Sequence, residues 1–259
     1  MIRLLLLPLL SLSLSASVIS DTDFITKVYQ DLLNRTPASG DLSAFQTYLG
    51  TAGNTRQGMA LVVLTSPEYR ADLVSSYYDS YLHRPADAGA AVFESLLAGG
   101  STDEQVQSEF LGSFEYFAGH GSDNAQFING LYLDLLNRTP ASFEVVNNLT
   151  LLGSITRTQL AGVVLSSLEY DNILVNNYYN AYLNRPADPF GLNFFVPQLQ
   201  GGTTNEVVQS EILGGEEYSL AESTPEPATF AEASIGAAVL WMCARRRRQR
   251  FDDNKLVKY

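Results

Sequence analysis

Apolar residues along most of this chain recur three and four positions apart rather than in alternation. In FITKVYQDLL (Phe24–Leu33), that spacing places Phe24, Val28, Tyr29, Leu32 and Leu33 on one side of a helix, the arrangement of a face turned towards a core. The pattern returns as FINGLYLDLL at Phe127–Leu136, 103 residues later. Valine and isoleucine follow helical spacing throughout, so strand signals are thin. The predicted fold class is all-α.

The helical pattern stops at a repeated phrase. DLLNRTPAS occupies Asp31–Ser39 and, letter for letter, Asp134–Ser142, and fainter echoes stand at His83 (HRPAD) and Asn184 (NRPAD). Four units of roughly fifty residues emerge, paired into two halves, the signature of a tandem repeat. Every unit carries an arginine (Arg35, Arg84, Arg138, Arg185). A tyrosine stands six positions before each (Tyr29, Tyr78, Tyr132, Tyr179) and a leucine two before (Leu33, Leu82, Leu136, Leu183). Tyrosine and leucine four apart share a helix face, which reads as a core stripe rather than an exposed aromatic ladder. The residue before each arginine is Asn34, His83, Asn137 or Asn184. Asparagine tolerates the left-handed backbone that ends a helix, and proline just after forbids continuation. A metal-ligand or base role for His83 therefore gives way to a stop, since its three sister positions hold asparagine.

Helix starts are also legible. Asp87 and Asp188 read as N-caps, the latter followed by Pro189 at the first helical position. STDEQ and TTNEV read as capping boxes from Ser101 and Thr203, with Glu104 and Glu206 in third place. Ser66 with Pro67 opens another helix. The stretch GHGSDNAQ, Gly119–Gln126, reads as the turn between halves, with His120 exposed and idle.

Both ends lie outside this pattern. MIRLLLLPLLSLSLSASVIS has an early arginine, an apolar run and then small residues, which is a secretory signal peptide with cleavage expected after Ser17 or Ser20. The predicted organisation is a signal peptide at 1–20, two similar helical repeat domains at 21–119 and 123–220, a tail at 223–250, and a cytoplasmic end at 251–259. The tail should hold a short transmembrane helix, Ala228–Ala244, flanked by Arg245–Arg248, a basic end kept inside by the positive-inside rule. Between Asp21 and Ser223 stand 24 acidic and 8 basic side chains, a net charge of −16. A body so acidic repels phosphate backbones and excludes nucleic-acid binding. The sole cysteine, Cys243, lies in the tail, so the exported body has no disulfide to stabilise it.

No nucleophile–base pair, zinc-spaced His/Cys cluster or phosphate loop is visible. The expectation is a non-enzymatic protein with no cofactor and no metal. One acidic position does recur: Glu68, Glu115, Glu169 and Glu217, 31 to 33 residues after each repeated arginine. A guanidinium and a carboxylate in every unit suggest a bidentate pair closing each module. The alternative is that glutamate simply favours a helix's first turn.

Taken together, the Phe–Tyr–Leu–Arg–Pro and S-x-E-Y features over Phe24–Tyr218 resemble the bacterial domain of unknown function 4214, itself similar in look to phycobilisome linker domains. The resemblance implies an exported or surface-associated protein without enzymatic activity. Phenylalanines 45, 93 and 194 stand where that family often has tryptophan. The C-terminus, with Pro225-Glu226-Pro227, an apolar stretch and Arg245, Arg246, Arg247 and Arg248, resembles a PEP-CTERM sorting tail. That resemblance implies an exosortase-type membrane protease as partner, with the chain in the membrane through its C-terminal helix before processing; the alternative is an ordinary, permanent single-span anchor with a basic flank. The expected function is structural, adhesive or protein-interacting, in the cell envelope or extracellular matrix, with surface proteins or exopolysaccharide as partners. The alternative is an extracellular carbohydrate or small-ligand binding module. A scaffold should show apolar patches outside the core stripe. A sugar binder should show exposed aromatics beside amides, for which NNYYNAY at Asn176–Tyr182 is the nearest candidate.

Overall fold

A computed structural model describes residues 18–220. Among these there are fourteen helices and no strand. The first unit comprises α1 (Asp21–Leu33), α2 (Ser39–Leu49) and α3 (Arg56–Leu64). The second comprises α4 (Pro67–Leu82), α5 (Ala90–Ala98), α6 (Asp103–Gly112) and the short α7 (Phe114–Gly119). The third comprises α8 (Asn124–Leu136), α9 (Ser142–Leu151) and α10 (Arg157–Leu165). The fourth comprises α11 (Leu168–Leu183), α12 (Pro189–Gln200), α13 (Asn205–Gly214) and α14 (Glu216–Leu220).

The repeated phrase is a helix stop in all four places. Asn34, His83, Asn137 and Asn184 follow the long helices with φ of 52°, 54°, 55° and 53°, the left-handed region where a β-carbon is costly and asparagine is better tolerated. The tyrosine stripe is buried, with Tyr29, Tyr78, Tyr132 and Tyr179 each no more than 8% exposed.

Two starts differ from expectation by register. α6 is capped by Thr102, whose box closes with Gln105 rather than running from Ser101 to Glu104. STDEQ holds two overlapping boxes, and the later one turns Asp103 and Val106 inward. Likewise α13 begins after Thr204, not Thr203. Asp188 caps α12 as read. Asp87 instead accepts from the Gly89 N–H in a turn ahead of α5, whose N-cap is Gly89.

The cores cross the boundary between the halves. One cluster joins Phe24, Ile25, Met59 and Leu64 of the first unit to Val175, Val208, Leu213 and Tyr218 of the fourth. Another joins Leu111 and Tyr116 to Phe127, Leu131 and Leu160. Two helix pairs carry the junctions: α6 packs on α10, and α13 packs on α3. At the first, Gly112 lies so close to Thr158 that any β-carbon would overlap it. At the second, a β-carbon on Gly214 would stand 2.6 Å from Gln57. Gly112 and Gly214 are register mates, as are Gln57 and Thr158. One contact is therefore made twice with the halves exchanged, as a two-fold rotation would make it. The expected transmembrane segment lies outside the described residues, as do the first 17 residues of the expected signal peptide. Within the described residues no helix is long and apolar enough to cross a membrane.

Candidate functional site

Each recurring arginine meets its recurring glutamate. Arg35 donates from Nε and Nη2 to both Glu68 oxygens at 2.6 Å, and Arg84 does so to Glu115 at 2.5 and 2.8 Å. Arg138 grips Glu169 at 2.6 and 2.7 Å, and Arg185 grips Glu217 at 2.5 and 2.6 Å. Each guanidinium also lies 4.8–5.0 Å from the ring of the tyrosine six residues earlier, within cation–π range. The helix stop makes this possible, because the reversed backbone folds the arginine back over the helix it has just left. The four glutamates also occupy first turns of their helices, so the dipole explanation and the pairing hold together.

These clamps are half-exposed: the arginine side chains are 33–37% accessible and the paired glutamates 42–51%. Arg138 is the richest, since Glu144 adds two further bonds at 2.8 Å and is itself only 18% accessible. Hydrogen bonds from Arg138 hold the Glu144 carboxyl down at about 2. The arginines likewise lower Glu68, Glu115 and Glu169.

A second constellation, which the sequence reading missed, lies at the junction of the halves. Gln107 Oε1 accepts from the hydroxyls of Tyr81 and Tyr170, both at 3.2 Å, while its Nε2 donates to Tyr77 at 3.1 Å. Gln209 repeats the arrangement with Tyr182 and Tyr69 as donors and Tyr178 as acceptor. Each glutamine takes one tyrosine from the opposite half. Tyr116 also donates to Asp134, and Tyr218 to Asp31, both at 2.8 Å and again across the halves. The signal was available in VQSE at Val106–Glu109 and Val208–Glu211, four identical residues that bring the same glutamine to the same place in both halves.

Between these networks Asn205 Nδ2 donates to Asp103 Oδ2 at 3.4 Å. The two are register mates, 102 residues apart, and are only 4% and 2% exposed. The remaining Oδ1 of each is buried without a hydrogen-bond partner. Burial first, then the charges of Glu206 and Glu104, push the Asp103 carboxyl well above the usual carboxylate range.

Two sequence expectations change here, and a third, the helix stop at His83, holds. His120 is half-buried rather than idle: its Nδ1 lies 2.8 Å from the Tyr116 carbonyl and its ring packs on Tyr116 at 4.2 Å. The NNYYNAY tyrosines are not an exposed aromatic surface, since Tyr179 and Tyr182 are buried and Tyr178 faces Gln209. His83 serves as the helix stop, with Nδ1 3.2 Å from the Asp79 carbonyl. The expected sorting-tail residues Pro225, Glu226, Pro227 and Arg245–Arg248 lie outside the described residues.

The family model described as a domain of unknown function (DUF4214) matches residues 12–73, a stretch that contains one whole clamp: Tyr29, Arg35 and Glu68. No curated protein and no solved structure matches the chain.

Proposed function

We propose that this is a non-enzymatic exported protein of the cell envelope or extracellular matrix that associates with other surface macromolecules and is processed through a PEP-CTERM tail. The observation that carries the reading is the apolar surface outside the tyrosine stripe. Phe114, Phe143 and Phe190 are 74%, 68% and 80% exposed, and Phe190 stacks on Phe194 with ring centroids 6.4 Å apart. Contiguous exposed apolar surface marks association sites, and the stacked Phe190 and Phe194, 80% and 50% exposed, form such a contiguous pair. The start of α1 distinguishes the two candidate cleavage points. Ser20 caps that helix, and the Ile19 carbonyl accepts from Arg56 at 2.7 Å, so cleavage after Ser17 keeps both while cleavage after Ser20 removes them.

The tail fits a segment that pauses in the membrane. Ala228–Ala244 is 17 residues with Glu232 inside it, short of the ~20 that span a bilayer stably. Four arginines follow, each attracted to an anionic inner leaflet by about 1 kcal/mol. Cell fractionation with mass spectrometry of both termini tests the proposal. The expected mature protein starts at Val18, ends near Ser223–Ala228, and lacks Cys243 and Arg245–Arg248. Full-length protein ending at Tyr259 as the dominant envelope form would make this an ordinary single-span anchor.

A further inference from the structure

The two halves treat one arginine differently. Arg56, at the start of α3, is saturated: Nε and Nη2 bind Asp21 Oδ1 at 3.2 and 2.8 Å, Nη2 also binds the Ile19 carbonyl, and Nη1 binds Ser219 Oγ at 2.8 Å. Its register mate is Arg157, at the start of α10 and 101 residues later. In the second half Asn124 stands where Asp21 would be, and Phe117 stands where Ser219 would be. The carboxylate is lost while an aromatic face is kept: Arg56 lies 4.8 Å from the Phe24 ring centroid and Arg157 lies 4.0 Å from that of Phe117. Its Nε is buried without a hydrogen-bond partner among the described residues. A cavity of about 310 Å³ opens beside it, lined by Asn124, Leu152, Ile155, Thr156, Arg157 and Thr158.

We propose that the Arg157 cavity binds a carboxylate supplied by a ligand, the group that Asp21 supplies internally to Arg56. A guanidinium is always charged and matches a carboxylate with two parallel donors. The Asn124 amide and the Thr156 and Thr158 hydroxyls are suited to donate to remaining oxygens, and Leu152 and Ile155 offer apolar wall to a carbon skeleton. The neighbouring Asp123 accepts through Oδ1 from the N–H groups of Ala125 and Gln126 at 2.9 and 3.0 Å and is not among the residues that line the cavity. The cavity volume is at the small end of ligand pockets, suited to a short organic acid or a single uronic-acid residue. The acidic surface repels anions at long range, so binding should depend on these short-range contacts.

Calorimetric titration of the purified protein with succinate and, separately, with trigalacturonate tests the site, with galactose as a neutral control. Saturable binding of one or both acids and none of galactose is expected. Trigalacturonate binding at least tenfold tighter assigns the carboxylate to an acidic polysaccharide, and equal or weaker binding assigns it to a free acid. Arg157→Gln should lower affinity at least tenfold. Asn124→Asp, which restores the first half's internal carboxylate, should lower it similarly while the melting temperature holds or rises, separating lost binding from lost fold. Absence of saturation with both acids, or unchanged affinity in Asn124→Asp, overturns the proposal.

Discussion

At the scale of single residues, position rather than chemistry decides what a side chain does. His83 would attract attention as a base or ligand, yet it carries a φ of 54° at the end of α4, as its three asparagine counterparts do at their helix ends. His83→Val should cost ~1–2 kcal/mol, because β-branching is poorly tolerated in left-handed backbone. His83→Asn should keep the melting temperature, and a large loss in the asparagine variant would point to a role for the imidazole itself. Asp103 makes the opposite case, since its environment opposes its charge. Its folded-state pKa is raised, so the native state holds the proton more tightly than the unfolded chain. The stability this contributes is fully present below the unfolded value near 3.8 and declines as pH rises towards the folded value. Asp103→Asn should therefore raise the melting temperature at pH 7–8 and change it little near pH 3. Equal melting curves for the two proteins across that range would show that Asp103 is solvated and the burial argument wrong.

At the scale of elements, helix ends were legible and helix pairings were not. The stops at Asn34, His83, Asn137 and Asn184 could be read because a left-handed cap needs a particular residue type at one position. The arginine–glutamate pairing was legible because both partners recur at a nearly constant interval. Capping registers were misread by one residue where two boxes overlap in STDEQ, since the choice depends on which residues become buried, and that is a tertiary fact. The clamps are half-exposed, so their worth depends on how many bonds converge. Arg138 holds two carboxylates where Arg185 has one bidentate partner and a longer 3.4 Å contact to Asp188. Arg138→Met should cost on the order of 1 kcal/mol, the upper end for surface pairs, or about 2–4 °C in a domain of this size. The effect should fade on acidification as Glu169 and then Glu144, held at about 2, become protonated. A pH-independent loss would mean that Arg138 acts through packing on Tyr132 and not through charge.

At the scale of the whole molecule, the sequence repeat becomes a closure. Repetition predicts similar halves, but whether each half encloses its own core depends on contacts that leave no local pattern. Here the cluster around Phe24 and Met59 is completed by Val208 and Tyr218, and the glutamine–tyrosine networks borrow Tyr69 and Tyr170 from opposite halves. Register mates exchange roles in these contacts, Arg56 and Arg157 excepted, so each half presents both sides of the junction: the close glycine of its last full helix, and the Gln57 or Thr158 that receives its counterpart. A surface that carries both complementary parts and closes by a two-fold is self-complementary. It follows that residues 18–122 produced alone should not persist as a monomer, because Phe24, Met59 and Leu64 would lose their cover. Two copies can restore it by setting Gly112 of each against Gln57 of the other. The expected product is a helical homodimer by light scattering, with melting temperature rising with concentration. Gly112→Val in that fragment should abolish the dimer and much of the helical signal together, since the added branches would strike the backbone of the facing helix. A stable monomer with cooperative melting independent of concentration would show that each half closes its own core, and that the packing between halves is a later addition to two self-sufficient domains.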